Sequence, residues 1–148
     1  MNENEKPMRA VDLAVAAGRR RQSPRTGFVH LFHGDTAAKD TIPIYENGCF
    51  ALALMSEKKA ESVLEGRDLL LRLLAFQTPE GNFPTYLHDF PRAFDPMLGL
   101  KMGAVLLRAL RDCGSLLGSG VKQAVETALQ KILVFTEGRR TQKPLPPI

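Results

Sequence analysis

Two Leu-dense runs with helical periodicity are separated by Gln77-Thr78-Pro79-Glu80-Gly81-Asn82-Phe83-Pro84-Thr85-Tyr86-Leu87-His88-Asp89-Phe90-Pro91, a segment crowded with turn formers, aromatics and hydrogen-bonding groups. This pattern constrains the chain more than any other. It implies a structured connector that folds two helical rods back to back, the kind of loop on which a rigid scaffold presents binding chemistry. The connector holds no complete catalytic or metal signature.

The upstream run covers about Phe50 to Phe76. Leu52, Met55, Val63, Leu70 and Leu74 recur at steps of three to four, with Lys58, Lys59, Glu61, Glu65 and Arg67 between them. Gly66 is the expected split point, since an interior Gly costs about 1 kcal/mol relative to Ala. Downstream, Asp95-Pro96 supplies an N-cap followed by Pro at the first helical position. Leu98, Met102, Val105, Leu106 and Leu110 form the buried stripe of that helix, and Gly99 and Gly103 sit one turn apart to admit a second backbone. Gly114 to Gly120 reads as a turn. Val121, Ala124, Val125, Ala128, Ile132 and Phe135 then trace one face of a last helix ending at Gly138, giving an αα-hairpin.

Ahead of these rods, Met8 to Ala17 has a rough apolar face and a stop at Gly18. Arg19 to Gly27 has the composition of a flexible linker. Phe28 to His33 reads as extended, either a strand or an arm laid on helices, and Thr41 to Tyr45 as a second extended piece, closed at Asn47-Gly48 by a turn or a helix entry. The expected organisation is a flexible basic arm over 1–27, a helical-hairpin domain over 28–138 and a Pro-rich tail over 139–148. The fold class is all-α, with antiparallel helical hairpins and an extended N-terminal arm.

The chain has 148 residues, 44% hydrophobic and 24% charged, with no Trp, which fits one domain with a core of Leu, Val and Ala. Its net charge of +4 is uneven: six basic and three acidic residues in 1–27, eleven and twelve in 28–136, three and one in 137–148. Basicity thus lies in the ends, where Arg19-Arg20-Arg21 and Arg25 could meet phosphate or an acidic lipid surface. No aromatic is interleaved with these arginines, which argues against nucleic acid and for a solvated arm. Cys49 and Cys113 lack CxxC or CxxH spacing and read as reduced core residues, with a disulfide between them left open. The apolar stretch from Val11 to Ala17 is too short for a secretory core or a membrane span, so the expected location is cytoplasmic.

The Gln77-x-x-x-Gly81-x-Phe83 pattern at the end of one helix and ahead of another resembles the QxxxGxW repeat of α/α-toroid proteins such as the terpenoid cyclases, with Phe where Trp is usual. The resemblance implies that Gln77 bonds toward the next helix start, that Gly81 permits a tight turn and that Phe83 packs over the Gln side chain. Thr41 to Asn47 ahead of a long helix looks like the start of a hairpin in six-hairpin glycosidase-type barrels. Together these similarities cover roughly Ile42 to Ile132. The cyclase DxDD motif and the zinc ligands of the prenyltransferase relatives are absent, so no catalytic residue is carried over. A whole toroid needs more helices than this chain holds. It would then be part of a toroid, a small bundle reusing the hairpin, or a protomer that completes its core with a partner. An open apolar flank favours self-association or a protein partner.

Asn82, Tyr86, His88 and Asp89, with Glu80, form the densest cluster of polar and titratable groups. At the mouth of a helical assembly Tyr86 would stack on a sugar face, Asn82 and Asp89 would bond hydroxyls, and His88 would titrate near neutral pH. Similarity to toroidal polysaccharide lyases would make His88 or Tyr86 a base beside an acidic sugar carboxylate. The competing expectation is that Tyr86 and Phe90 pack the connector while His88 and Asp89 satisfy helix ends. His30-x-x-His33-x-Asp35 offers metal-ligand types, but an odd separation within a strand would splay the two histidines. No GxSxG, Walker A or dinucleotide motif is present, and no cofactor is expected. The leading expectation is a non-enzymatic helical interaction module; the alternative is a carbohydrate-active α/α protein acting through the connector.

Overall fold

The computed structural model describes residues 9–32 and 40–141, and the fold is all-α. In chain order the elements are α1 (Ala10–Arg19), β1 (Leu31–Phe32), β2 (Asp40–Thr41), α2 (Ile44–Ser56), α3 (Ala60–Leu74), α4 (Leu98–Leu117) and α5 (Ser119–Thr141). A short 3-10 turn, Leu87–Asp89, lies within the connector. The end regions 1–8 and 142–148, including the Pro-rich run from Lys143, lie outside the described residues, as do His33 and Asp35.

The helices form two hairpins stacked side by side. A side chain at Gly66 in α3 would meet the carbonyl of Ala51 at 2.6 Å and Met55 at 2.9 Å, so α2 and α3 run antiparallel in close approach. Gly103 of α4 faces Leu129 and Ile132 of α5, which makes the second pair antiparallel too. Between the pairs the sense is parallel. Gly48 lies against Met102 and Val105, and Cys113 bonds Ser56, so α2 and α4 advance together. Arg67 bonds the Leu116 carbonyl in the last turn of α4 and lies beside Gly118 just ahead of α5, and Gln77 reaches Ala128, so α3 and α5 advance together. α3 and α4, the rods flanking the connector, share no extended contact; each packs on α2 and α5. The connector therefore crosses one end of the bundle diagonally and does not fold its two rods back to back.

Of the expected apolar positions, Met55, Leu70, Met102, Leu106 and Val125 are wholly buried, whereas Leu52 and Leu74 are only partly so and the neighbouring Leu54 and Leu73 fill the core in their place. Each such aliphatic contributes about 1.5–3 kcal/mol relative to an exposed position. Several boundaries differ from expectation. The break in the long run falls at Lys58, in left-handed conformation with φ 59, and not at Gly66. Gly66 sits mid-helix because α2 leaves no room for a Cβ there. The helix costs of Gly are thus offset by packing. Of the two readings of Asn47-Gly48, a turn or a helix entry, the helix holds: α2 begins at Ile44 and the pair lies near its start. The buried Asn47 amide accepts from Val29 N–H at 2.7 Å and donates to Val29 O at 2.9 Å and Pro43 O at 2.7 Å, pairing the arm as a strand would. The expected turn over 114–120 shrinks to Gly118, and α5 runs past Gly138 to Thr141. α1 runs through Gly18, whose missing side chain lets Phe50 of α2 approach.

The segment expected as a flexible linker is a hydrogen-bonded turn. Ser23 N–H donates to Phe28 O and His30 N–H to Arg21 O, both at 2.9 Å, with Gln22 bridged to Val29. Phe28 and Val29 then enter the core, and Arg72 lies 4.3 Å from the Phe28 ring centroid. β1 pairs antiparallel with β2, Leu31 opposite Thr41, so the arm is both a strand and a strap on the helices.

Candidate functional site

The connector begins as a turn fastened to α5. Gln77 Nε2 donates to Gly81 O at 3.1 Å and to Ala128 O at 3.0 Å. Gly81 has φ 105, and a Cβ there would collide with the Lys131 carbonyl, so only Gly combines this conformation with this approach. The turn closes through Thr78 N–H to Asn82 O at 2.8 Å and Asn82 N–H to Thr78 Oγ1 at 3.1 Å. Phe83 is wholly buried beneath it. Gln77 therefore bonds α5, not the start of the following helix, α4.

Asn82 performs that second task. Its Oδ1 accepts from Gly99 N–H at 2.8 Å and its Nδ2 donates to Asp95 O at 3.0 Å. Asp95 Oδ1 accepts from Met97 N–H at 2.9 Å, so α4 starts at Leu98, two residues later than Asp95-Pro96 alone implies, with both acceptors on its open N–H groups. Gly99 lies against Asn82, its Oδ1 and its backbone Cα, so a second backbone does approach there, whereas Gly103 faces only side chains of α5. The Asn82 amide is buried, and both its oxygen and its nitrogen are engaged inside the chain.

Tyr86, His88 and Asp89 lie together at the far side of the connector. Tyr86 is bridged to Pro43, and Ile44 N–H donates to Thr85 O while Leu87 N–H donates to Ile42 O, so this stretch is stitched to the start of α2. The Tyr86 and His88 rings stack at 5.9 Å with 13° between planes, and His88 Nε2 is 3.6 Å from Asp89 Oδ1. The His88 side chain is 62% exposed. Phe90 packs edge-on to Phe76, 5.7 Å between centroids, pinning the connector to the end of α3. None of Tyr86, His88 and Asp89 lines a described cavity. The nearby hollow of about 210 Å³ is walled instead by Glu80, Asn82, Phe94, Phe135 and Arg139.

His30 has a role that its spacing to His33 did not disclose. Its Nδ1 is 2.7 Å from Asp40 Oδ1 and its Nε2 is 2.9 Å from Thr26 Oγ1, and Thr26 Oγ1 also accepts from Phe28 N–H at 3.1 Å. Both imidazole nitrogens are engaged. Among the described residues no three His, Cys, Asp or Glu side chains converge on a metal-sized point. Asp40 could have been found only by pairing β1 with β2 in register. Cys49 and Cys113 are free thiols, but only Cys113 is a core residue; Cys49 is exposed on α2, beside Tyr45, and partial desolvation raises both above the ordinary thiol range. Neither is primed as a nucleophile. A shallow groove of about 540 Å³ runs between α3 and α5, lined by Leu71, Leu74, Ala124 and Thr127. No described helix is long and apolar enough to cross a membrane. Compared with protein-family models, with curated proteins and with solved structures, the chain matches none.

Proposed function

We propose that the chain is a helical interaction module of α/α-hairpin type, two stacked hairpins in toroid-like order that associate through the flank of α4 and α5. One observation carries this reading. Leu100 and Leu107 of α4 are 42% and 59% exposed and Leu133 of α5 is 62% exposed. Helical spacing puts Leu100 and Leu107 on one stripe, opposite Val105, which faces α2. A third hairpin in the same stack would lie against that stripe. A second copy of the chain supplies the same kind of surface, and covering exposed apolar area drives association. The parallel pairing of α2 with α4 and of α3 with α5 supports the toroid-like order.

Light scattering on the chain checks this. The expected result is a dimer or larger assembly whose melting temperature rises with concentration, and a Leu100→Glu/Leu107→Glu variant that is monomeric yet folded. A monodisperse wild-type monomer with a concentration-independent melt would overturn it. A second reading, a carbohydrate site on the connector, draws on the exposed His88 ring stacked with the half-buried Tyr86 beside Asp89. It requires that a uronate panel shift the melting temperature of wild type and not of His88→Ala.

A further inference from the structure

The turn that follows α1 gathers charge in a way the association reading does not use. We propose that Arg20, Arg21 and Ser23 form a binding site for a small phosphate monoester. These residues line a cavity of about 330 Å³ together with His30 and Asp40. That size is at the lower end of the roughly 300–1,000 Å³ usual for small-molecule sites.

The backbone beneath the site is fixed. Arg21 O accepts from His30 N–H and Ser23 N–H donates to Phe28 O, while Phe28 and Val29 are anchored in the core. The side chains divide into those already engaged and those still open. Arg19 Nη1 bonds Gln22 Oε1 and Glu65 Oε1, each at 2.7 Å, and Gln22 Nε2 donates to Gly27 O at 2.8 Å. Asp40, the one acid among the described residues of the cavity wall, pairs with the His30 ring, whose second nitrogen is held by Thr26. Ser23 Oγ accepts from the N–H groups of Arg25 and Thr26, which leaves its own O–H to donate. The guanidiniums of Arg20 and Arg21 pair with no described acid. What remains open is therefore mainly donor: two adjacent guanidiniums and a hydroxyl, set against the one Asp40 carboxylate, whose Oδ1 is held by His30.

Such a set selects an oxyanion. Two guanidiniums match the charge of about −1.5 to −2 on a phosphate monoester at neutral pH better than a single carboxylate, and the arginine fork bonds phosphate oxygens in pairs. Neither Phe nor Tyr lines the cavity, so there is no platform for stacking bases. The site stands apart from the α4/α5 flank and does not depend on it.

Titration calorimetry of the full chain with glycerol phosphate, inorganic phosphate and phosphatidylserine vesicles tests the proposal. Saturable binding of one glycerol phosphate per chain is expected, weakened about tenfold or more (~1.4 kcal/mol) in Arg20→Gln/Arg21→Gln. Arg25→Gln removes a charge from the same turn outside the cavity and should leave affinity unchanged. Arg21→Lys keeps the charge but loses the fork, and should weaken binding less than the double variant does. Inorganic phosphate binding as tightly as the monoester also supports the site. Equal losses in Arg25→Gln and the double variant would mean a diffuse basic surface and would overturn the proposal. So would binding to the vesicles alone, or no saturable binding of either phosphate.

Discussion

The connector and the turn after α1 are both polar loops anchored to the same bundle, yet they use their polar groups in opposite ways. In the connector Gln77, Thr78 and Asn82 turn inward, and Thr78 and Asn82 are almost wholly buried with every amide and hydroxyl partnered. In the turn, Arg20 and Arg21 stand around a cavity with their charge uncompensated by described residues. Buried polar groups must be satisfied internally, because an orphan costs about 1–3 kcal/mol, whereas exposed charge is solvated at little cost. A dense cluster of polar residues in sequence therefore marks scaffold when it is saturated. A sparser cluster marks a site when its bonding capacity is open.

That contrast can be broken most severely at Gly81. Gly81→Val combines left-handed strain with a collision at the Lys131 carbonyl and should cost about 2–5 kcal/mol in denaturant unfolding. A loss under 1 kcal/mol would show that the turn is not fastened to α5 as described. Asn82→Ala strands Gly99 N–H and Asp95 O, and about 1–3 kcal/mol of stability should go with it. If its melting temperature were unchanged while sugar binding disappeared, Asn82 would be a ligand residue after all. Within the other loop, Thr26→Val removes the hydroxyl shared by Phe28 N–H and His30, a loss of about 0.5–1.5 kcal/mol. Smallest is Arg20→Gln/Arg21→Gln, expected to shift stability by no more than about 0.5 kcal/mol without ligand. A larger drop would place these arginines in the scaffold and erase the distinction between the two loops.

Much of the helical layout was readable from residue spacing. The stripe Leu98, Met102, Val105 and Leu106 is buried as its periodicity implies, and Val125, Ala128 and Ile132 of α5 likewise. Glycine was the main source of error, because the same residue serves for turns and for close helix packing. Gly66, Gly48 and Gly18 each lie within a helix where a neighbour leaves no space or little, while Gly81 and Gly118 do adopt positive φ. Nothing local separates the two uses. Of the connector cluster, Tyr86, His88 and Asp89 do lie together, but Asn82 faces the other way. The arginines that composition assigned to a loose arm instead line a cavity, because Phe28 and Val29 pull the following strand into the core.

Local chemistry determined the helices and their apolar faces, because period and propensity act over neighbours a few residues apart. Only the packed molecule decided that the rods on either side of the connector sit on a diagonal, that Asn47 acts as a strand partner for Val29, and that Asp40 meets His30. Those outcomes depend on which surfaces remain to be covered once the hairpins stack, and on where unsatisfied polar groups then find each other. No window along the chain contains that information.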